Sequence, residues 1–229
     1  MGFDLHKTSR DVRAFLINAI YPKRCAQCGL RGQWVCGECF TSSQVFGEPW
    51  CDRCGSPPDR PCRCFMVPGL IAELRSVGPY DGWLRASVQL IKYQGEFSRV
   101  EHLAPFAVSA MRTLGSPGAL VPVPLHSQRI RERGFNQSAL LAEAMAGLSG
   151  IEIRDCLTRV RDTPHQVGLT AFERASNVEG AFSFREMPSG MPRSVVLIDD
   201  VFTTGATIAA CAEVLRQHGA RTISALTIC

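Results

Sequence analysis

The sequence predicts an α/β protein in which a parallel sheet flanked by helices follows a small, cysteine-rich N-terminal module. Three observations carry this. Val195-Val196-Leu197-Ile198 is a short, uniformly apolar run rich in β-branched residues, which suits a strand covered on both faces of a parallel sheet. Ile208, Cys211, Ala212 and Leu215 then recur at i, i+3, i+4 and i+7 of a helix, and residues 222–228 alternate polar with apolar, so a strand, a helix and a strand follow in the order of a parallel unit. Finally, eight of the eleven cysteines fall in four close pairs between Cys25 and Cys64, a pattern of metal ligation rather than of scattered thiols.

Taken in chain order, Val12, Phe15, Leu16, Ala19 and Ile20 fall at helical spacing, with Thr8 or Ser9 as a cap and Pro22 as the stop. This helix packs on the protein's own body or lies on a membrane surface. No apolar stretch approaches the ~18 residues a membrane span needs, and residues 14–20 are interrupted by Asn18 and lack a small-residue cleavage site, so neither membrane insertion nor a signal peptide is expected. The cysteine pairs are Cys25 with Cys28, Cys36 with Cys39, Cys51 with Cys54, and Cys62 with Cys64. Two knuckles of this kind close a four-sulfur tetrahedral site, so eight ligands hold two structural Zn2+ ions, paired either in sequence (Cys25/28/36/39 and Cys51/54/62/64) or crosswise; sequential pairing repeats one pattern twice and is preferred. A thioredoxin-like dithiol at Cys51 and Cys54 is the redox alternative. The segment has few apolar runs, so metal would supply its folding energy. Cys156, Cys211 and Cys229 remain as buried or inert thiols, fitting a reducing cytoplasm.

Pro68-Gly69 marks the boundary between residues 1–68 and a second domain, residues 69–229. There Leu84, Val88 and Ile91 lie on one helix face that ends at Lys92-Tyr93-Gln94-Gly95, with glycine as the stop. Lys92 either faces a phosphate or simply complements the helix dipole. Residues 120–126 (Leu-Val-Pro-Val-Pro-Leu-His) read as a compact strand with a stiff exit; Arg129, Arg131 and Arg133 follow either as anion contacts or as an exposed basic turn, and then the turn-like Gly134-Phe135-Asn136-Gln137, in which Asn136 caps the next helix. Charge adds little: of the net +4, residues 1–70 contribute nine basic against six acidic groups, a bias that permits nucleic-acid contact but lacks a dense basic stripe. The 45% apolar and 20% charged composition excludes disorder and allows a sizeable core.

At the end of the strand of residues 195–198 the chemistry concentrates. Asp199 and Asp200 emerge at the carboxyl edge, where open α/β sheets place their ligands, and Val201, Phe202, Thr203, Thr204, Gly205, Ala206 and Thr207 lead into a helix amino terminus. Such a terminus offers unpaired N–H donors and about half a positive charge to an anion, while glycine allows close backbone approach.

Over its full length this segment resembles the phosphoribosyl diphosphate (PRPP) signature of type I phosphoribosyltransferases. The resemblance implies that Asp199 and Asp200 hold the ribose hydroxyls as catalytic acids and that residues 203–207 bind the 5-phosphate. Together with the cysteine knuckles, Lys92-Tyr93-Gln94-Gly95, Val121-Pro122-Val123-Pro124-Leu125, Arg133-Gly134-Phe135-Asn136-Gln137 and a stretch from Leu157 to Phe182, nearly the whole chain is similar to the ComF family. That resemblance implies a double zinc ribbon joined to a phosphoribosyltransferase-like domain. It assigns substrate contacts to Lys92, Pro122, Val123, Pro124 and Arg133, and to Arg159 and Arg174 in a mobile flap. Mg2+ would accompany PRPP. It further implies a role in DNA uptake, natural transformation or DNA utilisation on the cytoplasmic side, with single-stranded DNA and DNA-uptake proteins as partners. An enzyme that transfers a pentosyl group, a noncatalytic DNA-handling factor and a PRPP-sensing regulator are all compatible with these motifs.

Overall fold

A computed structural model describes residues 22–46, 51–161, 178, 180–188 and 190–229. The expected N-terminal helix and Arg174 lie outside the described residues, as does most of the expected flap. A short helix α1 (Gly37–Thr41), capped by Cys36, carries Cys39 of the second cysteine knuckle. The body then runs β1 (Leu74–Ser76), α2 (Gly82–Gln94), α3 (Arg99–Met111), β2 (Ala119–Pro122), α4 (Ser127–Arg133), α5 (Gln137–Ser149), β3 (Leu157–Arg159), β4 (Phe182–Phe184), β5 (Ser194–Asp199), α6 (Ala206–Gln217) and β6 (Thr222–Thr227).

Four strands form a parallel sheet in the order β1-β6-β5-β2. On β5, Val195 and Leu197 face one core with Ile208, Cys211, Ala212 and Leu215 of α6, while Val196 and Ile198 face the other with residues of α2, α3 and α5. Burial on both faces explains why β5 reads as an unbroken apolar run. Residues 152–154 hydrogen-bond along β2, with Leu120 N donating to Glu152 O and Arg154 N to Leu120 O, and so cover that edge. β3 and β4 form a separate antiparallel pair that flanks residues 160–181.

Two local expectations are corrected. The strand expected over residues 120–126 ends at Pro122: Val123 N still donates to Ile198 O, but Pro124 has no N–H with which to continue the ladder, and the chain leaves the sheet. The basic turn at residues 129–133 is instead helix α4, capped by the His126 side chain and ended by Gly134 at φ +85°; Gln128 donates to Glu132 one turn on. Helix α6 stops at Gln217 with His218 as its cap, and Gly219 supplies the positive φ of the next position.

The cysteine module is bonded to this body at several points. Arg75 on β1, 4% exposed, donates to the Asp52 carbonyl inside the Cys51–Cys54 knuckle and to Thr113 Oγ1, each at 2.8 Å. Arg99 on α3, 2% exposed, donates to the carbonyls of Arg24 and Trp34, beside the first two knuckles, and stacks over the Trp34 ring. Leu74 N donates to Arg53 O, and Phe40 of α1 packs against the fully buried Trp83 of α2. Charged guanidinium donors satisfy these carbonyls strongly because little water competes there.

Candidate functional site

Two clusters of sulfur atoms form the metal centres. Cys25, Cys28, Cys36 and Cys39 place their Sγ atoms within 4.8 Å of one another, as do Cys51, Cys54, Cys62 and Cys64. The sulfurs therefore gather in sequential rather than crosswise sets. Four thiolates at about 2.3 Å from one zinc would stand about 3.8 Å apart. The S···S separations are 3.6 Å for Cys28 to Cys36, and 3.1 to 3.7 Å in the second set. Backbone N–H groups of Cys36 and Arg63 point at Cys25 and Cys54 sulfurs at 3.4 and 3.3 Å, as suits thiolates. The donor set fits two closed structural zinc sites that offer no position to a substrate. Cys156, Cys211 and Cys229 are buried, and burial pushes their thiols up, to about 11 for Cys156 and about 12 for Cys229.

The candidate ligand site is a cleft of about 490 Å³ at the carboxyl ends of β2 and β5. Asp199 is the last residue of β5 and Asp200 follows it. The loop then returns through Gly205, at φ +77°, into α6, whose first residues Ala206 and Thr207 line the same space; Thr204 Oγ1 accepts from Ala206 N. Lys92, Val123, Pro124, Arg133, Arg159, Asp199, Asp200, Val201, Phe202, Thr203, Gly205, Ala206 and Thr207 all line the cleft. Pro122 does not; it is buried at the end of β2. Thr204 is not on the lining either and serves the start of α6 instead.

Charges divide between floor and walls. The acids occupy the floor, while Arg129 and Arg133 come from α4 and Arg159 from β3. Arg133 donates to Gln137 Oε1 at 2.6 Å, and Arg159 lies over the Phe182 ring. Lys92 Nζ meets Asp200 Oδ1 at 2.7 Å. Burial works to lower the Lys92 pKa, but the charge and hydrogen bond of Asp200 outweigh it, so the ammonium is held above its ordinary value. Asp199 accepts from Ser138 Oγ at 3.0 Å and from Asp200 N at 2.9 Å. Burial first, and then the charge of Asp200, nevertheless push its carboxyl up to about 7.

Sequence reasoning missed Tyr80, Gln137 and Ser138, which also line the cleft. Ser138 had a legible signal: it stands two residues beyond Asn136, whose side chain accepts from Ser138 N, so it lies in the first turn of the helix that Asn136 caps. Tyr80 carries no comparable signal, because it reaches the cleft from the turn after β1 by tertiary packing alone.

Two four-cysteine clusters fastened to a parallel α/β body, with an acid-floored cleft at the strand ends, define a zinc-ribbon protein carrying a candidate ligand site. Residues 16–67 match the model of the double zinc ribbon domain. The chain is 30% identical to Competence protein F of Haemophilus influenzae over 87% of its own length and 93% of that protein's. It is 35% identical to DNA utilization protein YhgH of Salmonella typhi over 78% and 83%, and 26% identical to Competence protein ComFC of Streptococcus pneumoniae over 85% and 86%. The chain belongs to the ComF family. Among the described residues no helix is long and apolar enough to cross a membrane.

Proposed function

We propose that this protein binds PRPP or a related ribose 5-phosphate in the cleft, as a phosphoribosyltransferase-type enzyme, and that it serves DNA uptake or DNA utilisation. One observation carries the ligand assignment: the acid pair ending a central strand and the start of α6 open into the same cleft, beneath three arginines. The two features are complementary to the two ends of a sugar phosphate. Residues 203–207 and the amino terminus of α6 anchor the 5-phosphate. The acid pair takes the ribose hydroxyls, and Arg129, Arg133 and Arg159 face the diphosphate with planar forks of donors. Mg2+ would enter with the substrate and supply charge neutralisation for the diphosphate leaving group. In turnover a nitrogen nucleophile forms a bond to ribose C1 as the C1–O bond to pyrophosphate breaks, and the leaving group departs with the electron pair. The acids stabilise the positive charge that builds on the sugar. The names of the relatives, competence and DNA utilization proteins, support the cellular role.

Calorimetric titration of the zinc-loaded protein with PRPP and Mg2+ tests the binding, and release of pyrophosphate with guanine, adenine, orotate or single-stranded DNA tests turnover. Saturable binding lost in D199N/D200N is expected, and wild-type protein that takes up no PRPP would refute the assignment.

A second reading, a sensor that reports PRPP occupancy to a partner, draws support from one contact. The Met66 carbonyl, two residues past the zinc ligand Cys64, lies so close to Gly205 that a Cβ there would stand 3.1 Å from it. Ligand in the cradle and order in the ribbon are thus mechanically adjacent. This reading predicts a protein partner whose affinity for the ribbons changes with PRPP, and PRPP binding that changes equally with the partner.

A further inference from the structure

We infer that Tyr80 and Tyr93 form the acceptor wall of the cleft and that they select a planar nitrogen heterocycle, a free nucleobase, as the nucleophile. This rests on the ribose phosphate reading of the cleft.

The two sides of the cleft differ in chemistry. Arg129 and Arg133 stand on α4, which follows β2, and Arg159 is bridged to His126, also just past β2. Tyr80 comes from the segment between β1 and α2, and Tyr93 from the last turn of α2. Helix α2 lies on the β6 side, where Val88 and Ile91 border one small apolar pocket with Ile228. In the sheet order β1-β6-β5-β2, arginines and tyrosines thus reach the cleft from opposite edges, with the acid pair of β5 between them. Three strand spacings of ~4.8 Å separate those edges by roughly 14 Å, room for a pentose with a group on each face. Displacement at ribose C1 needs that division. The nitrogen bonds to C1 from one face as the C1–O bond to pyrophosphate breaks on the other; the electron pair leaves with pyrophosphate, and the ring N–H proton passes to water. With the diphosphate on the arginine side, the entering group stands on the tyrosine side.

That side is suited to stacking. Tyr80 is 47% exposed and Tyr93 70%, so both offer open ring surface to the cleft they line. Tyr80 is also held in place. Val77 N and Gly78 N donate to the carbonyls of Thr227 and Ile228, both at 3.1 Å, and Asp81 beside it caps α2. Arg85 covers one face of the Tyr80 ring at 5.6 Å, which leaves the other face for one flat partner. Lys92, the cation on this side, is already matched by Asp200 at 2.7 Å. Ammonia or an aliphatic amine would gain little from two rings, whereas every nucleobase has a π face to stack and a ring nitrogen to react. A base within DNA already carries a sugar on that nitrogen, so the occupant is the free base.

The test uses the full zinc-loaded chain, as wild type, Y80A, Y93A, Y80A/Y93A and Y80F/Y93F. Both residues are exposed, so the variants should fold, and unchanged zinc content and melting temperature check this. Adenine, guanine, hypoxanthine and uracil are each titrated into protein saturated with ribose 5-phosphate, pyrophosphate and Mg2+, which fill the same positions without reacting. At least one base should bind wild type. Each single alanine should weaken that base about tenfold and the double variant more than thirtyfold, while Y80F/Y93F, which keeps both rings, should stay within threefold. The loss should fall on the base alone, with PRPP affinity moving less than threefold. Wild-type protein that binds PRPP but none of the bases, or Y80A/Y93A that binds them undiminished, would overturn the acceptor wall and leave the ribose phosphate reading standing. So would Y80F/Y93F as weak as the double alanine, since stacking needs only the rings. If free bases fail and Y80A/Y93A instead loses binding of oligo(dT), the wall is a platform for a DNA strand and the inference falls. Wild-type protein that takes up no PRPP refutes the ribose phosphate reading itself, and the acceptor wall with it.

Discussion

Replacing Gly205 with alanine tests whether the cradle and the ribbon are in mechanical contact. The residue sits at φ +77°, where an L side chain costs roughly 1 to 2 kcal/mol. A Cβ there would also stand 3.0 Å from the Phe202 ring and 3.1 Å from the Met66 carbonyl, distances at which the neighbours must give way by a few tenths of an ångström. Phe202 can yield by turning its ring, but the Met66 carbonyl belongs to the backbone of a turn that begins at Cys64, so the ribbon itself has to shift. Adding roughly 1 kcal/mol for that shift, G205A should be destabilised by about 2 to 3 kcal/mol. Urea unfolding followed by far-UV circular dichroism measures this, and titration with PRPP should show at least a tenfold loss as the N–H groups of α6 move away from the phosphate. Hydrogen exchange of the amides around residues 64–67 should quicken as well. A variant that melts within 0.5 kcal/mol of wild type with unchanged exchange at residues 64–67 would refute the claimed contact.

Further outcomes are expected. Zinc analysis should return two equivalents per chain, and C64S should return one, since only its own cluster loses a ligand; two equivalents in C64S would break the assignment of sulfurs to sets. R99M removes a 2% exposed guanidinium that serves the Arg24 and Trp34 carbonyls and Glu96, and should cost roughly 3 kcal/mol in urea unfolding. Because the Asp199 carboxyl is raised to about 7 in the folded state, the native protein keeps a proton that the unfolded chain has released. The resulting stability is present below the ordinary carboxyl range and is lost as pH rises through about 7. The loss is at most about 4 kcal/mol. Melting temperatures at pH 5 and pH 8 should therefore differ more in wild type than in D199N.

Much of this architecture was legible because its signals are local. The β5 run, the acid pair, the stop at Gly95 and the cap at Asn136 each follow from a few adjacent residues, and the structure has all four. The sulfur sets were legible for the same reason: eight ligands with repeating short spacings leave few ways to pair. The errors fell where neighbouring residues compete. Residues 120–126 look like a strand because their side chains are apolar, yet Pro124 cannot donate to a ladder. Residues 129–133 can be taken for a turn because they are basic, yet they belong to a short helix between His126 and Gly134. What no window could reveal is the long-range chemistry. Lys92 and Asp200 lie 108 residues apart and Ser138 and Asp199 lie 61 apart, so their pairing exists only once the sheet has formed. Arg75 and Arg99 are charged residues that any sequence scale would place at the surface, and each is buried because it has a carbonyl from the ribbon to meet.

Those two guanidinium groups make the halves of this chain inseparable. A fragment starting at Gly69 would keep Glu73, Thr113 and Glu96 but delete the Asp52, Arg24 and Trp34 carbonyls that these buried charges also meet, and a fragment ending there would lose the props beneath its metal knuckles. Neither piece is a stand-alone part that recombination could graft elsewhere, so sheet and ribbon must be inherited as one unit. In a metal-starved cell they should also fail as one.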